Sequence, residues 1–158
     1  MKISDFSKKH NISAKKARAM APYIPMARQC SYCRKWDIPE DAKPIYIAHK
    51  QKYGVAKKYG CVLDAIAFDM QIHENFSGVT LVECQTIVPQ LRDKGLIVLK
   101  HGCPASSFNY TDYMISFSLA EEWRNKDLQH KTELIIETLK TIQELAKLGT
   151  TIAAVAMQ

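Results

Sequence analysis

The 158 residues are 47% hydrophobic and 24% charged, an ordinary globular balance that excludes a wholly disordered chain. The net charge of +6 hides a split: residues 1–58 hold 14 Lys and Arg against 4 Asp and Glu, giving +10, while residues 59–158 hold 8 against 12, giving −4. No apolar run reaches the roughly 18 residues of a spanning helix, the opening MKISDFSKKH lacks a signal-type apolar stretch, and five irregularly spaced cysteines fit reduced thiols, so a cytoplasmic protein without membrane contact is expected.

In chain order, Ser4 reads as the cap of a short helix running to about His10. Asn11-Ile12 reads as a turn, and Ser13 as the cap of a second helix, Ala14 to about Ala21, ended by Pro22. Ile3, Phe6, Ile12, Ala17 and Met20 supply an apolar face for the pair, and Lys15, Lys16 and Arg18 lie on or near the opposite face. Two short helices joined by a tight turn, the second basic, form a helix-turn-helix pattern. The segment from Ala27 to Ile38, turning at Ser31-Tyr32, predicts a hairpin wing. In it Arg28, Arg34 and Lys35 meet phosphates, while Trp36 and Ile38 anchor the hairpin on the helices. Cys30 and Cys33 have the spacing of half a zinc site. The chain has no second such pair, so the two are read as small residues flanking the wing turn, and neither metal nor cofactor is expected.

Residues 43–58, KPIYIAHKQKYGVAKK, read as a basic connection, with 49–56 as the linker proper. A helix is predicted from about Val55 to Ile72, with Tyr59, Val62, Leu63, Ile66, Phe68 and Met70 recurring at helical spacing. After a break at residues 74–78, Thr80 caps a helix to about Lys94 with Leu81, Cys84, Ile87, Val88 and Leu91 inward. Pro89 should kink or split it, and Gly95 ends it. Strands are expected at residues 96–99 and 113–118, with a helix opening near Leu119. From there to about Leu148 nothing in the pattern breaks a helix. Leu128, Ile135, Leu139 and Ile142 fall on a coiled-coil-like seam, and a homodimer is expected through it. The apolar tail GTTIAAVAMQ is too short to span a bilayer.

The expected architecture is mainly α with small β-hairpin wings (α+β): a head at 1–48, a linker at 49–56, a body at 57–125 and a C-terminal dimerisation helix at 126–157. Ile24-Pro25, and the run Arg34-Lys35-Trp36-Asp37-Ile38-Pro39-Glu40 that follows the wing turn, resemble excisionase-like and mercury-regulator-like winged helix-turn-helix domains. The stretch from Ser13 to Ile24 is slightly shorter than in those families. The string QLRDKGLIVLKHG followed by YMISFSLAEEW resembles the wider winged-helix superfamily, so the body is expected to be a second winged-helix-like domain. The resemblance implies that the second helix enters the major groove and that the wing follows the backbone. Lys15, Lys16 and Arg18 would then be groove contacts, with Arg18 suited to guanine.

The expected function is therefore sequence-specific binding of double-stranded DNA, as a transcriptional regulator or excisionase-like accessory factor of a mobile element. The alternative is a protein-interaction module, such as a phage-encoded inhibitor or adaptor, whose acidic body takes a protein partner. No nucleotide-binding, zinc-protease or serine-hydrolase motif occurs and the five histidines are scattered, so no enzyme is expected.

Overall fold

The structure is a computed structural model that describes residues 1–48 and 56–140. Residues 49–55 of the expected linker at 49–56, and Ile142 with the rest of residues 141–157 expected in the C-terminal helix, lie outside the described residues. The described chain is mainly helical with two two-stranded antiparallel hairpins.

The first 48 residues form α1 (Ile3–His10), α2 (Ala14–Met20), a 3₁₀ turn (Ala21–Tyr23), β1 (Arg28–Gln29) and β2 (Trp36–Asp37). Asn11 stops α1 in the left-handed conformation, where asparagine is tolerated. The Ser13 side chain accepts from the Lys16 N–H at 3.1 Å and starts α2. Ser4 caps nothing, because α1 begins one residue earlier with Lys2 in the cap position. Pro22 sits in the 3₁₀ turn, where its missing N–H costs no helical bond. Phe6, Ala17, Met20, Ala21, Ile24, Ile38 and Ile45 close a small core, with Ile3, Ile12 and Trp36 packed on it.

The body comprises α3 (Lys57–Ala67), α4 (Glu74–Ser77), α5 (Leu81–Asp93), β3 (Ile97–Leu99), β4 (Tyr113–Ile115) and α6 (Phe117–Asn125). A further helix, α7, covers 128–140 within the described residues. Every residue from Gly60 to Ile66 is buried, so α3 is enclosed all round rather than on one stripe. It packs against α5, α6 and β4. Phe68, expected inward, lies beyond its end and is exposed. Thr80 and Glu83 form a reciprocal capping box at the start of α5. Pro89 neither splits nor ends α5, because Cys84, Ile87, Val88 and Leu91 hold the helix on the core on both sides of it. Leu81, expected inward, stands 63% exposed because the first turn of α5 projects past the core.

Three expectations on connectivity are corrected. Residues 43–48 do not link loosely. Pro44, Ile45 and Tyr46 are buried, Tyr46 N–H donates to the Gln71 carbonyl at 2.7 Å, Gln71 N–H to the Pro44 carbonyl at 2.9 Å, and Ala48 N–H to the Phe76 carbonyl at 3.2 Å. Ile45 completes the head core while Tyr46 enters the body core, so this segment is the seam between them. Tyr23, His73 and Phe76 stack across the same boundary, with Tyr23–His73 centroids 4.6 Å apart.

The second correction concerns the helix expected to run unbroken from Leu119. It breaks at Lys126, which is extended, and Asp127 Oδ1 accepts from the His130 N–H at 2.9 Å to start α7. An aspartate two residues past a helical stretch is a capping signal in its own right.

The third correction is that the seam of α7 faces inward on its own chain. Ile135 is 1% exposed within the body core, and Leu128 and Leu139 pack against that core. These three are therefore not a free dimerisation stripe.

What holds α7 down is polar as well as apolar. Asp64 on α3, 5% exposed, accepts from Tyr46 Oη at 2.6 Å, Trp123 Nε1 at 3.0 Å and Lys131 Nζ at 3.4 Å. Lys131 also lies over the Trp123 ring, 4.9 Å from its centroid. Removing the carboxylate takes the counter-ion from a largely buried Lys131 and an acceptor from Tyr46 and Trp123. Asp64→Ala is expected to lower the unfolding free energy by about 3–5 kcal/mol, read as a shifted urea midpoint. A loss below about 1 kcal/mol would show that the network is incidental to stability.

Candidate nucleic-acid interface

The helical geometry of α2 sets its charged face. Ala17 and Met20 turn into the core, which leaves Lys15 on the far side of the helix, Arg18 one turn along beside it, and Lys16 on the flank. All three side chains are exposed. The first turn of α2 holds Lys15 and Lys16 and no acid, an arrangement the helix dipole disfavours. Helix stability therefore does not account for these lysines.

The wing is built by register. Arg28 pairs with Asp37 and Gln29 with Trp36, and Cys30 N–H extends the ladder to the Lys35 carbonyl at 2.8 Å. Its entrance is a tight turn in which Ala27 N–H donates to the Ile24 carbonyl at 3.2 Å, with Met26 at φ 67 as the corner residue. Trp36 is partly buried against the head core and Ile38 fully buried in it. Ile38 N–H also donates to the Met1 carbonyl at 2.8 Å. Arg28, Arg34 and Lys35 are exposed. Asp37 opposite Arg28 tempers the charge at the wing's base, so the unopposed cations lie toward its tip.

Lys15, Lys16, Arg18, Arg28, Arg34 and Lys35 thus fall on two elements packed on the same small core, helix and wing. None of their side chains has an ion-pair partner among the described residues. The cations of the body differ. Lys58 pairs with Glu83, Arg92 with Asp93, Lys126 with Glu122 and Lys131 with Asp64. Arg92 further donates to Tyr113 Oη at 3.3 Å. Four body cations are thus held by acids of the body, whereas none of these six is.

Two features were missed in the sequence reading. Tyr32 stands 98% exposed at the wing tip between the cations, and an aromatic residue placed in a polar turn is the signal that could have marked it. Lys2 and Lys8 add exposed charge on and beside α1, whereas Lys9 is tied to the Glu40 carbonyl at 2.6 Å.

Among the described residues no group of three or more His, Cys, Asp or Glu side chains could hold a metal ion, and no helix is long and apolar enough to cross a membrane. No protein-family model matches the chain. No curated protein and no solved structure matches it either.

Anchor and surface residues should separate cleanly by stability. Ile38→Ala, which empties the head core, is expected to cost about 2–4 kcal/mol. The triple substitution Lys15→Ala, Lys16→Ala, Arg18→Ala should leave the urea midpoint unchanged or slightly raised. A large loss of stability in the triple variant would mean that these lysines serve the fold.

Proposed function

We propose that residues 1–48 are a winged helix-turn-helix head that binds double-stranded DNA, with α2 in the major groove and the β1–β2 hairpin along the backbone. The observation that carries this reading is the set of six exposed cations on α2 and the wing, none of them in an ion pair among the described residues, beside a body in which Lys58, Arg92, Lys126 and Lys131 are ion-paired. Unpaired charge on a compact surface offers a phosphate lattice a large counterion-release term. Arg18 is the side chain suited to guanine, because a guanidinium can meet O6 and N7 together. The protein is then a regulator or accessory factor of a mobile element rather than an enzyme.

The body repeats the order helix, short helix, helix, hairpin, helix, and we read it as a second winged-helix-like unit. Its α5 is not a DNA-reading helix. The exposed residues at its start are Leu81 and Val82, and Arg92 is already held by Asp93 and Tyr113.

Binding should be read by anisotropy of a labelled duplex at two salt concentrations. With Arg18 on a base, five phosphate contacts predict a fall in affinity of about 500-fold between about 50 and 200 mM salt. With Lys15→Ala, Lys16→Ala and Arg18→Ala combined, the fall should shrink to about 40-fold and binding at low salt should weaken. No duplex binding at the lower salt concentration, or an unchanged salt slope in the triple variant, would overturn the reading.

A specific observation favours a second reading, in which the body takes a protein partner. Val98 and Met114, paired across β3 and β4, stand half exposed beside Phe117, which is 98% exposed. Together with Ile66, Ala67, Ala120 and Arg124 they line a shallow apolar groove. Met114→Ser combined with Phe117→Ser should abolish any stoichiometric partner complex while leaving duplex binding intact. Loss of duplex binding in that variant would place the nucleic-acid surface on the body instead.

A further inference from the structure

The cysteines divide by environment. Cys61 and Cys84 are buried in the body core. Burial, with Glu83 and Cys61 alongside, pushes the Cys84 thiol up to about 11. Such thiols are poor ligands and poor nucleophiles. Cys30 and Cys33 are exposed at the wing tip.

The tip has a defined geometry. Cys33 N–H donates to Cys30 Sγ at 3.4 Å. Arg34 N–H donates to the Cys30 carbonyl at 3.0 Å. Arg34 itself adopts a left-handed backbone, φ 57, uncommon for a residue with a side chain. The effect is to fold the chain back over Cys30, aim backbone N–H groups at its sulfur and bring Cys33 alongside. A sulfur that accepts a backbone N–H bond and has a second sulfur three residues on is one half of a bidentate soft ligand pair.

We propose that Cys30 and Cys33 bind Zn²⁺ as a dithiolate claw, and that the same pair on a second copy of the chain completes a tetrahedral site of four sulfurs. A structural zinc ion takes four protein ligands, and this spacing supplies two. Among the described residues no third donor clusters with them, so one chain does not close the site. The tip is the outermost point of the wing, with Tyr32 98% exposed, so two tips can meet while the heads stay apart. A two-fold axis through the ion brings an identical pair from an identical copy. Four thiolates around Zn²⁺ leave a charge of −2, which Arg34 and Lys35 of each copy offset. Each thiol that binds releases its proton to solvent. The site does not depend on the DNA reading, and its test needs no nucleic acid.

The test is titration of the reduced chain with Co²⁺, a coloured stand-in for Zn²⁺, with light scattering in parallel. The expected result is a thiolate-to-cobalt charge-transfer band with the intense visible bands of a tetrahedral ion, saturating at one ion per two chains and bleached by Zn²⁺. The scattering mass should double with metal. Cys30→Ser and Cys33→Ser should each lose the bands, and Cys103→Ser should keep them, all three with unchanged circular dichroism. Absence of the bands, their survival in both wing variants, or saturation at one ion per chain in a monomer would overturn the proposal.

Discussion

The carboxylate of Asp64 has to be satisfied inside the protein, and much of the architecture is arranged around that requirement. It sits on α3, a helix enclosed on every side, where an unpaired charge would cost several kcal/mol. Its partners come from three separate stretches of chain: Tyr46 from the segment leaving the head, Trp123 from α6 and Lys131 from α7. One residue thereby joins the end of the head to the last described helix. Breaking the long C-terminal helix at Lys126 is part of the same solution, since it turns α7 back so that Lys131 reaches Asp64 while Ile135 and Leu139 close the core.

That anchorage has an electrostatic consequence. Four acids of the body hold Lys58, Arg92, Lys126 and Lys131. The seam at Ile45 and Tyr46 fixes the head against the body through backbone bonds to Gln71 and Phe76, yet α2 and the wing keep their charged faces in solvent. Exposed charges with no internal partner contribute little to stability. The two lysines at the start of α2 act against the helix dipole. On the proposed reading they serve an external anion, and a repeating one suits six of them better than a single small ion.

Local rules made much of this legible in the sequence. The Ser13 and Thr80 caps, the Asn11 stop, the glycine end at Gly95 and the hairpin between Arg28 and Asp37 all follow from residue chemistry at short range. The head's apolar set was readable because a small core admits few alternatives. What failed was long-range. Residues 43–48 look like a basic linker because their charges dominate the composition, while the buried Pro44, Ile45 and Tyr46 find their hydrogen-bond partners 18 or more positions away. The seam of Leu128, Ile135 and Leu139 carries the right spacing for a partner helix, but spacing does not say whether the partner is another chain or the same one. The contributions of Asp64 and Lys131 had no sequence signal, since a buried carboxylate and a surface one look alike in a string. The knuckle-like form of the wing tip depends on a left-handed Arg34, which no propensity favours.

The central claim is that the free cations of α2 and the wing make one surface for duplex DNA. The most direct measurement is an NMR titration of the isotopically labelled protein with a short duplex, following backbone amides and arginine side chains. The account predicts shifts concentrated at residues 13–19 and 28–35, including the Arg18 and Arg34 guanidinium signals, with the α5, α6 and α7 amides unmoved. Shifts centred on the body, or spread evenly with no preference for α2 and the wing, would contradict it.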